Sequence, residues 1–405
     1  MAITKRFLFL LLIATVAACS PRINKQVNPP VKPGTTEKPT VTEEKAVPKF
    51  TVANVSVLLP FKLDKVNLNT ATKAQLAETD MAIDFYQGLT MGIDSAASFG
   101  LNFNLHVFDS RDDNARLLML TKNEQFKKSQ LIIGPVFPEG IKYLSNLVIS
   151  RDIPLVSPLA ATRPSDFNNP KLISIIGHID QHSEKIAAYI GNKYSVERGI
   201  VALINSKKAE EEEFAQPIRA YLNKKYPNLI IQEFASASVF ETRMIRGKKY
   251  AVVICSSDPA FVNPTVDKLA RLAKLRANDY EFQLFGHPAW LKQSYNIEQL
   301  QVLHTIISTS YYINYKDTGI ISFIKKYRAK YSFEPSEYAF KGFDIGFYFG
   351  KLLARHGKEY ADFLLKDKYK GLHNTFSFGY DPLYGYYNKD LMLLQYKNLS
   401  LIPVN

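Results

Sequence analysis

Cysteine is nearly missing from this chain: 405 residues hold two, Cys19 and Cys255. One disulfide at most could form, so a small disulfide-stapled scaffold is excluded and the fold must rest on its core. Long apolar runs are missing too. Residues 7–18 make an apolar stretch of only twelve, whereas a membrane helix needs about 20. Neither a GxxxxGK phosphate loop nor a GxSxG nucleophile elbow occurs, which removes the common nucleotide-binding and α/β-hydrolase signatures. No basic stretch is interleaved with exposed aromatics, which argues against a nucleic-acid partner. Acidic charge is the sign in short supply: 51 Lys and Arg against 38 Asp and Glu leave +13. Such a balance suits anionic neighbours such as lipid head groups or cell-wall polymers and says nothing of fold.

What is present begins with an address. Lys5 and Arg6 precede the twelve-residue run, whose length suits the roughly 7–15 apolar residues of a signal peptide. Val16-Ala17-Ala18-Cys19 resembles a lipobox, in which the cysteine becomes the lipid-modified N-terminus. Residues 1–18 are therefore expected to be a lipoprotein signal peptide and Cys19 a lipidation site that anchors the protein to a membrane. Residues 19–49, with "NPPVKPGTTEKPTVTEEKAVPK", cannot bury a core and read as a linker. At about 3.1 Å per residue in extended form it could hold the body roughly 90 Å from the membrane. Glu43 and Glu44 come late and no acidic cluster follows Cys19. A periplasm-facing anchor is expected, on the outer membrane of a Gram-negative bacterium. With Cys19 lipidated, Cys255 has no partner, and its setting "YAVVICSS" marks a buried strand.

About 355 residues remain for the body, and chains of that size divide, because single cores stop growing near roughly 250–300 residues. The body alternates strand and helix patterns, starting with "VANVSVLLPF" and "MAIDFYQGLTMGIDSAASFG". In the latter, Phe85, Leu89, Ile93 and Ala96 share one helical face. "LNFNLHVFD" alternates as an edge strand does. The expected fold class is α/β, with two doubly wound, mostly parallel sheets. Gly88 and Gly92 in one helical pattern and Gly342, Gly346 and Gly350 in another are each four apart. Glycine there costs about 1 kcal/mol per residue relative to alanine, so the two helices are expected to pack closely in the first lobe.

Ligands of open parallel sheets sit outside the carboxyl ends of the strands. Here those ends read "LLPFKLD", "FDSRDD", "IIGPVFPEG" and "LVSPLAATRP", then "INSKK", "CSSDPAF", "FGHPAW" and "STSYY". Taken with "DFYQG", "LIIGP" and "IPLVSPLAAT" in this order, the chain resembles a type I periplasmic binding protein of the leucine-binding class. The resemblance implies two lobes joined by a three-strand hinge, lobe 1 at 50–164 plus 315–356 and lobe 2 at 165–314 plus 357–405. It implies a non-catalytic protein without cofactor or metal, binding a small molecule in the inter-lobe cleft. Carried over position by position, its contacts fall on Phe137 and Pro138, on Ser157, Ala160, Ala161 and Thr162, and on Ser206, Ser257, His287 and Pro288.

Two departures stand out. Pro138 removes a backbone donor from the carboxylate-binding loop, and Gly286-His287-Pro288 stands where amino-acid binders place an acid for the ammonium. An unpaired buried ammonium costs several kcal/mol, roughly, so a leucine-like zwitterion fits poorly. Phe61, Tyr86, Phe137, Trp290, Tyr311 and Tyr312 offer an apolar or sugar-stacking cleft instead. His178 and His182 are four apart, and without a third ligand they read as surface imidazoles. Glu210 to Glu213 read as a solvated helix cap. The resemblance carries two functions: the substrate-binding component of an ABC transporter, with a permease as partner, or a regulatory lipoprotein of cell-wall synthesis touching a peptidoglycan synthase. Lipoprotein activators of penicillin-binding proteins share this fold.

Overall fold

The computed structural model describes residues 50–404 apart from 65, 66, 68 and 69. The expected signal peptide, Cys19 and the linker at 19–49 lie outside the described residues. In chain order the strands are β1 (Val52–Leu59), β2 (Asn102–Asp109), β3 (Leu131–Ile133), β4 (Leu155–Ser157), β5 (Leu172–Ser174), β6 (Ile200–Ile204), β7 (Ile230–Phe234) and β8 (Lys249–Ile254). There follow β9 (Glu281–Gly286), β10 (Ile306–Thr309), β11 (Lys368–Lys370), β12 (Thr375–Asp381), β13 (Gly385–Asn388), β14 (Met392–Lys397) and β15 (Ser400–Pro403).

They form two mostly parallel sheets, as the alternation of patterns predicts. One has the order β11-β12-β13-β5-β4-β3-β1-β2 and the other β15-β14-β10-β9-β8-β6-β7. β2 is the edge its alternation foretells, while β1, β3, β4, β6 and β8 are almost wholly buried. Each Val, Leu, Ile or Phe so buried is worth about 1.5–3 kcal/mol. Cys255 is a free buried thiol at the end of β8, and burial pushes its pKa up.

The lobes are cut at other places than the sequence suggests. β5, which reads as the opening strand of a second block, pairs parallel with β4. β13 then joins β5 in parallel and carries β12 and β11 with it. Residues 165–174 and 357–388 thus belong to lobe 1. The three crossovers fall in the short connections 175–178, 310–317 and 389–391. Buried strands of two doubly wound sheets share one composition, so only pairing reveals which sheet a strand joins. The crossovers are laced together: Gly177 N–H donates to Ser310 Oγ (3.1 Å), Gln181 Nε2 to the Asn388 carbonyl (3.0 Å) and Asn388 Nδ2 to the Ile175 carbonyl (3.2 Å).

Lobe 1 is built around the helices Lys73–Ala97 and Glu337–His356, and the glycines face each other as expected. A methyl group on Gly88 would overlap the Ala339 carbonyl, and one on Gly342 the Phe85 carbonyl. The second helix starts at Ser336, whose side chain accepts from Tyr338 N–H, and stops at Gly357 with φ +61°.

Candidate functional site

The strand ends of the two sheets meet across a cavity of about 270 Å³. Leu159 and Ala161 come from the loop after β4, and Ile176 and Gly177 from the crossover after β5. His287 and Pro288 follow β9, while Ser308 to Tyr311 end β10. His182 enters from the helix Ile179–Glu197 and Lys341 from the lobe 1 helix Glu337–His356. A cleft of this size suits a small solute.

Burial dominates the electrostatics. His182 has Nδ1 3.0 Å from Ser308 Oγ. Burial first, and the neighbouring His287 second, lower its pKa to about 4. His287 caps the short turn Pro288–Lys292, its Nδ1 accepting from Ala289 N–H at 3.1 Å. Burial again brings its pKa to about 4, with the Phe214 ring edge-on at 4.9 Å. Both imidazoles are neutral near pH 7, and the Nδ1 acceptor leaves the proton of His287 on Nε2. Lys341 is 7% exposed. Its Nζ donates to Glu337 Oε2 at 2.6 Å and lies 4.3 Å from the Tyr311 ring centre and 5.0 Å from that of Tyr338. Burial lowers its pKa and Glu337 opposes the shift. The cavity wall holds two lysines, Lys292 and Lys341, and no carboxylate.

The Ser308–His182 pair resembles half of a nucleophilic dyad, but among the described residues no acid orients His182. A base titrating near 4 is also a poor proton acceptor at neutral pH. No group of three His, Cys, Asp or Glu among the described residues could hold a metal ion.

Of the ligand contacts and cleft aromatics expected from the sequence, the cavity gathers Ala161, His287, Pro288 and Tyr311. The others lie elsewhere. Phe61 meets Tyr86 edge-on at 6.2 Å, and both pack with Phe137 on the lobe 1 core. Pro138 is exposed at the start of the helix Pro138–Val148. Ser157 and Ala160 are buried, Ser157 Oγ without a partner among the described residues, and Thr162 is half-buried outside the lining. In lobe 2, Ser206 N–H donates to Glu211 Oε2 at 2.6 Å, and the Ser257 carbonyl accepts from Tyr295 at 3.3 Å, so local caps occupy both strand ends. Trp290 is fully buried, its Nε1–H on the Ser256 carbonyl at 3.0 Å. Tyr312 lines a separate hollow with His373 and Asn374.

Two readings change. His178 and His182 are not surface imidazoles: His182 is buried, and His178 is mostly buried at the N-cap of the helix Ile179–Glu197. Glu211 in the acidic run is fully buried rather than solvated, and Glu212 is held down to about 2 by Arg219 and Lys207. Sequence reasoning missed His182, Ser308, Ser310 and Lys341 as parts of the cavity. A lone lysine in the apolar stretch "AFKGFDIG" was the available signal for the last.

The sequence matches no protein-family model and no curated protein. Its fold is shared with solved structures. A putative branched-chain amino acid ABC transporter from Rhodospirillum rubrum is 15% identical, with a TM-score of 0.62 over 87% of this chain and 99% of that one. An ABC transporter substrate-binding protein from Desulfitobacterium hafniense, solved in complex with Leu, is 13% identical at a TM-score of 0.53, over 87% of this chain and 100% of that one. Full-length LpoA from Haemophilus influenzae is 12% identical at a TM-score of 0.54, over 88% of this chain and 59% of that one.

Proposed function

We propose that this chain, which has the two-lobed fold of type I periplasmic binding proteins, is a non-catalytic, membrane-anchored lipoprotein that captures a small solute between its lobes. The observation that carries the reading is the cavity itself: it lies at the carboxyl ends of both sheets and takes walls from both lobes and the crossovers between them. In this reading the protein is the periplasm-facing, substrate-binding component of an ABC transporter, and its partner is a permease. The signal pattern before Cys19 supports the anchor, and among the described residues no helix is long and apolar enough to cross a membrane.

Melting curves of the full-length chain with and without dialysable periplasmic extract test the capture. A solute present at 100 times its Kd stabilises by about 2.7 kcal/mol, and the resulting shift should vanish in Ala161→Trp, which fills the cavity. No shift in the parent protein would overturn capture. The anchor has its own test, since Cys19→Ser should release the protein from the membrane fraction and abolish labelling by a fatty-acid analogue. Retained labelling would refute it.

A second reading, contact with a peptidoglycan synthase, draws on the Pro-rich tether at 19–49 and the basic net charge. Crosslinking in intact cells separates the two by the partner recovered.

A further inference from the structure

We infer that the solute is a small organic anion, a monocarboxylate with an apolar body, and that Lys341 is its counter-charge. The inference rests on the solute-capture reading and adds the chemistry of the solute.

The first observation is the balance of the wall. It carries Lys341 and Lys292 and no acid, so a cation or the ammonium of an amino acid would meet like charge without a partner, at a cost of several kcal/mol, roughly. The second is the state of Lys341. An ammonium has three donors; this one is 7% exposed and has one hydrogen-bond acceptor among the described residues, Glu337, the faces of Tyr311 and Tyr338 serving for the rest. Glu337 is 37% exposed and outside the cavity wall, so solvent screens the acid more than the cation.

The third observation is the direction of the remaining polar groups. His287 has its Nδ1 occupied as an acceptor, which leaves Nε2–H to donate. Ser310 Oγ accepts from Gly177 N–H, which leaves its hydroxyl proton free. Thr309 Oγ1 already donates to the Tyr311 carbonyl and accepts from Tyr311 N–H. His287 and Ser310 thus each present a donor beside the Lys341 ammonium, while His182 and Ser308 are engaged with each other. A carboxylate, which only accepts, can meet all three donors. Leu159, Ile176, Ile179 and Leu291 supply the apolar remainder of the wall.

The test compares matched probes on the full-length chain by calorimetry: 4-methylpentanoate, 4-methylpentanamide and leucine, with benzoate and benzamide as a second pair. An acid should bind at least tenfold more tightly than its own amide, and leucine should not bind below about 1 mM. Lys341→Met should erase the preference for acid over amide, and Lys341→Arg, which keeps the charge if the methionine variant fails to fold, should retain it. Equal binding of acid and amide, binding of leucine as tight as that of the acid, or no binding of either acid overturns the anion. The extract melt separates this failure from that of capture. A stabilising extract whose solute, identified by mass, is neutral or cationic removes the anion and leaves capture standing; an extract and a probe set that both do nothing remove both.

Discussion

In lobe 1 the central helix contact is backbone on backbone, Gly88 against the Ala339 carbonyl and Gly342 against that of Phe85. In lobe 2 the helix Ile179–Glu197 offers Gly191 to a side chain, the Tyr226 ring, which is half-buried and hydrogen-bonded to Asn192. A ring can turn aside, but a helix backbone cannot without moving its whole element. The cavity inherits the difference. Its buried cation, Lys341, adjoins Gly342 and is set by the rigid pair, while its imidazoles and most of its hydroxyls come from lobe 2 and the crossovers. Lobe 1 supplies the buried charge, while lobe 2 supplies the neutral imidazoles and an exposed second lysine, Lys292.

Acid should expose that division most strongly. His182 and His287 are held near 4 in the folded state against 6.5 as free imidazoles. The unfolded chain therefore takes up protons first as pH falls, so their contribution is full above about 6.5 and is lost on descending to about 4. At about 1.4 kcal/mol per unit of depression, the pair accounts for several kcal/mol. Urea unfolding of the parent and of His182→Gln/His287→Gln across this window should show a flatter profile in the variant. Parallel profiles would place the imidazoles outside the energetics of folding.

Next in size is the glycine contrast. Gly88→Ala should cost about 3 kcal/mol, because its methyl group meets a carbonyl that cannot retreat. Gly191→Ala should cost under about 1 kcal/mol, its displaced ring offset by alanine's better helix propensity. Denaturation midpoints of the two variants decide the matter, and equal losses would break the comparison.

Smallest is the tie between the lobes. Arg163 after β4 grips Asp180 of the helix Ile179–Glu197 through Nε (2.7 Å) and Nη2 (2.8 Å). Both side chains are about one-third exposed, so Arg163→Gln should cost no more than about 1 kcal/mol by melting. A loss of several kcal/mol would mean that the pair, rather than the crossovers, holds the lobes together.

How much of this was legible depends on whether the cause is local. The spacing of Gly88, Gly92, Gly342, Gly346 and Gly350 foretold a helix contact because glycine in a helix has so few other uses, and the contact is there. The alternation of "LNFNLHVFD" foretold an edge strand for the same kind of reason. The membership of β5 was not legible, since "LIS" carries no mark of its partner. At the site, His287 and Pro288 stood out because they follow a strand, as ligand-facing residues do. Ser206 and Ser257 also follow strands, yet Glu211 and Tyr295 take up backbone groups there and neither serine lines the cavity. Lys341 was hidden for another reason: its place in the cavity depends on a helix that reaches the cleft only after the chain has crossed to lobe 2 and returned.

That return journey has a consequence in time. Gly342 meets Phe85 across about 250 residues of intervening chain, a closure whose entropy cost grows only slowly with length but which cannot begin until the last partner exists. Within the exported-lipoprotein reading, a chain threading a membrane N-terminus first emerges with the lobe 1 strands β1 to β5 and no Glu337 helix to cover them. The segment 179–310, by contrast, already holds five of the seven strands of its sheet. Lobe 1 would then wait, its glycine face open, through the whole emergence of lobe 2, and throughout that interval its apolar surface would depend on whatever else in the compartment can shield it.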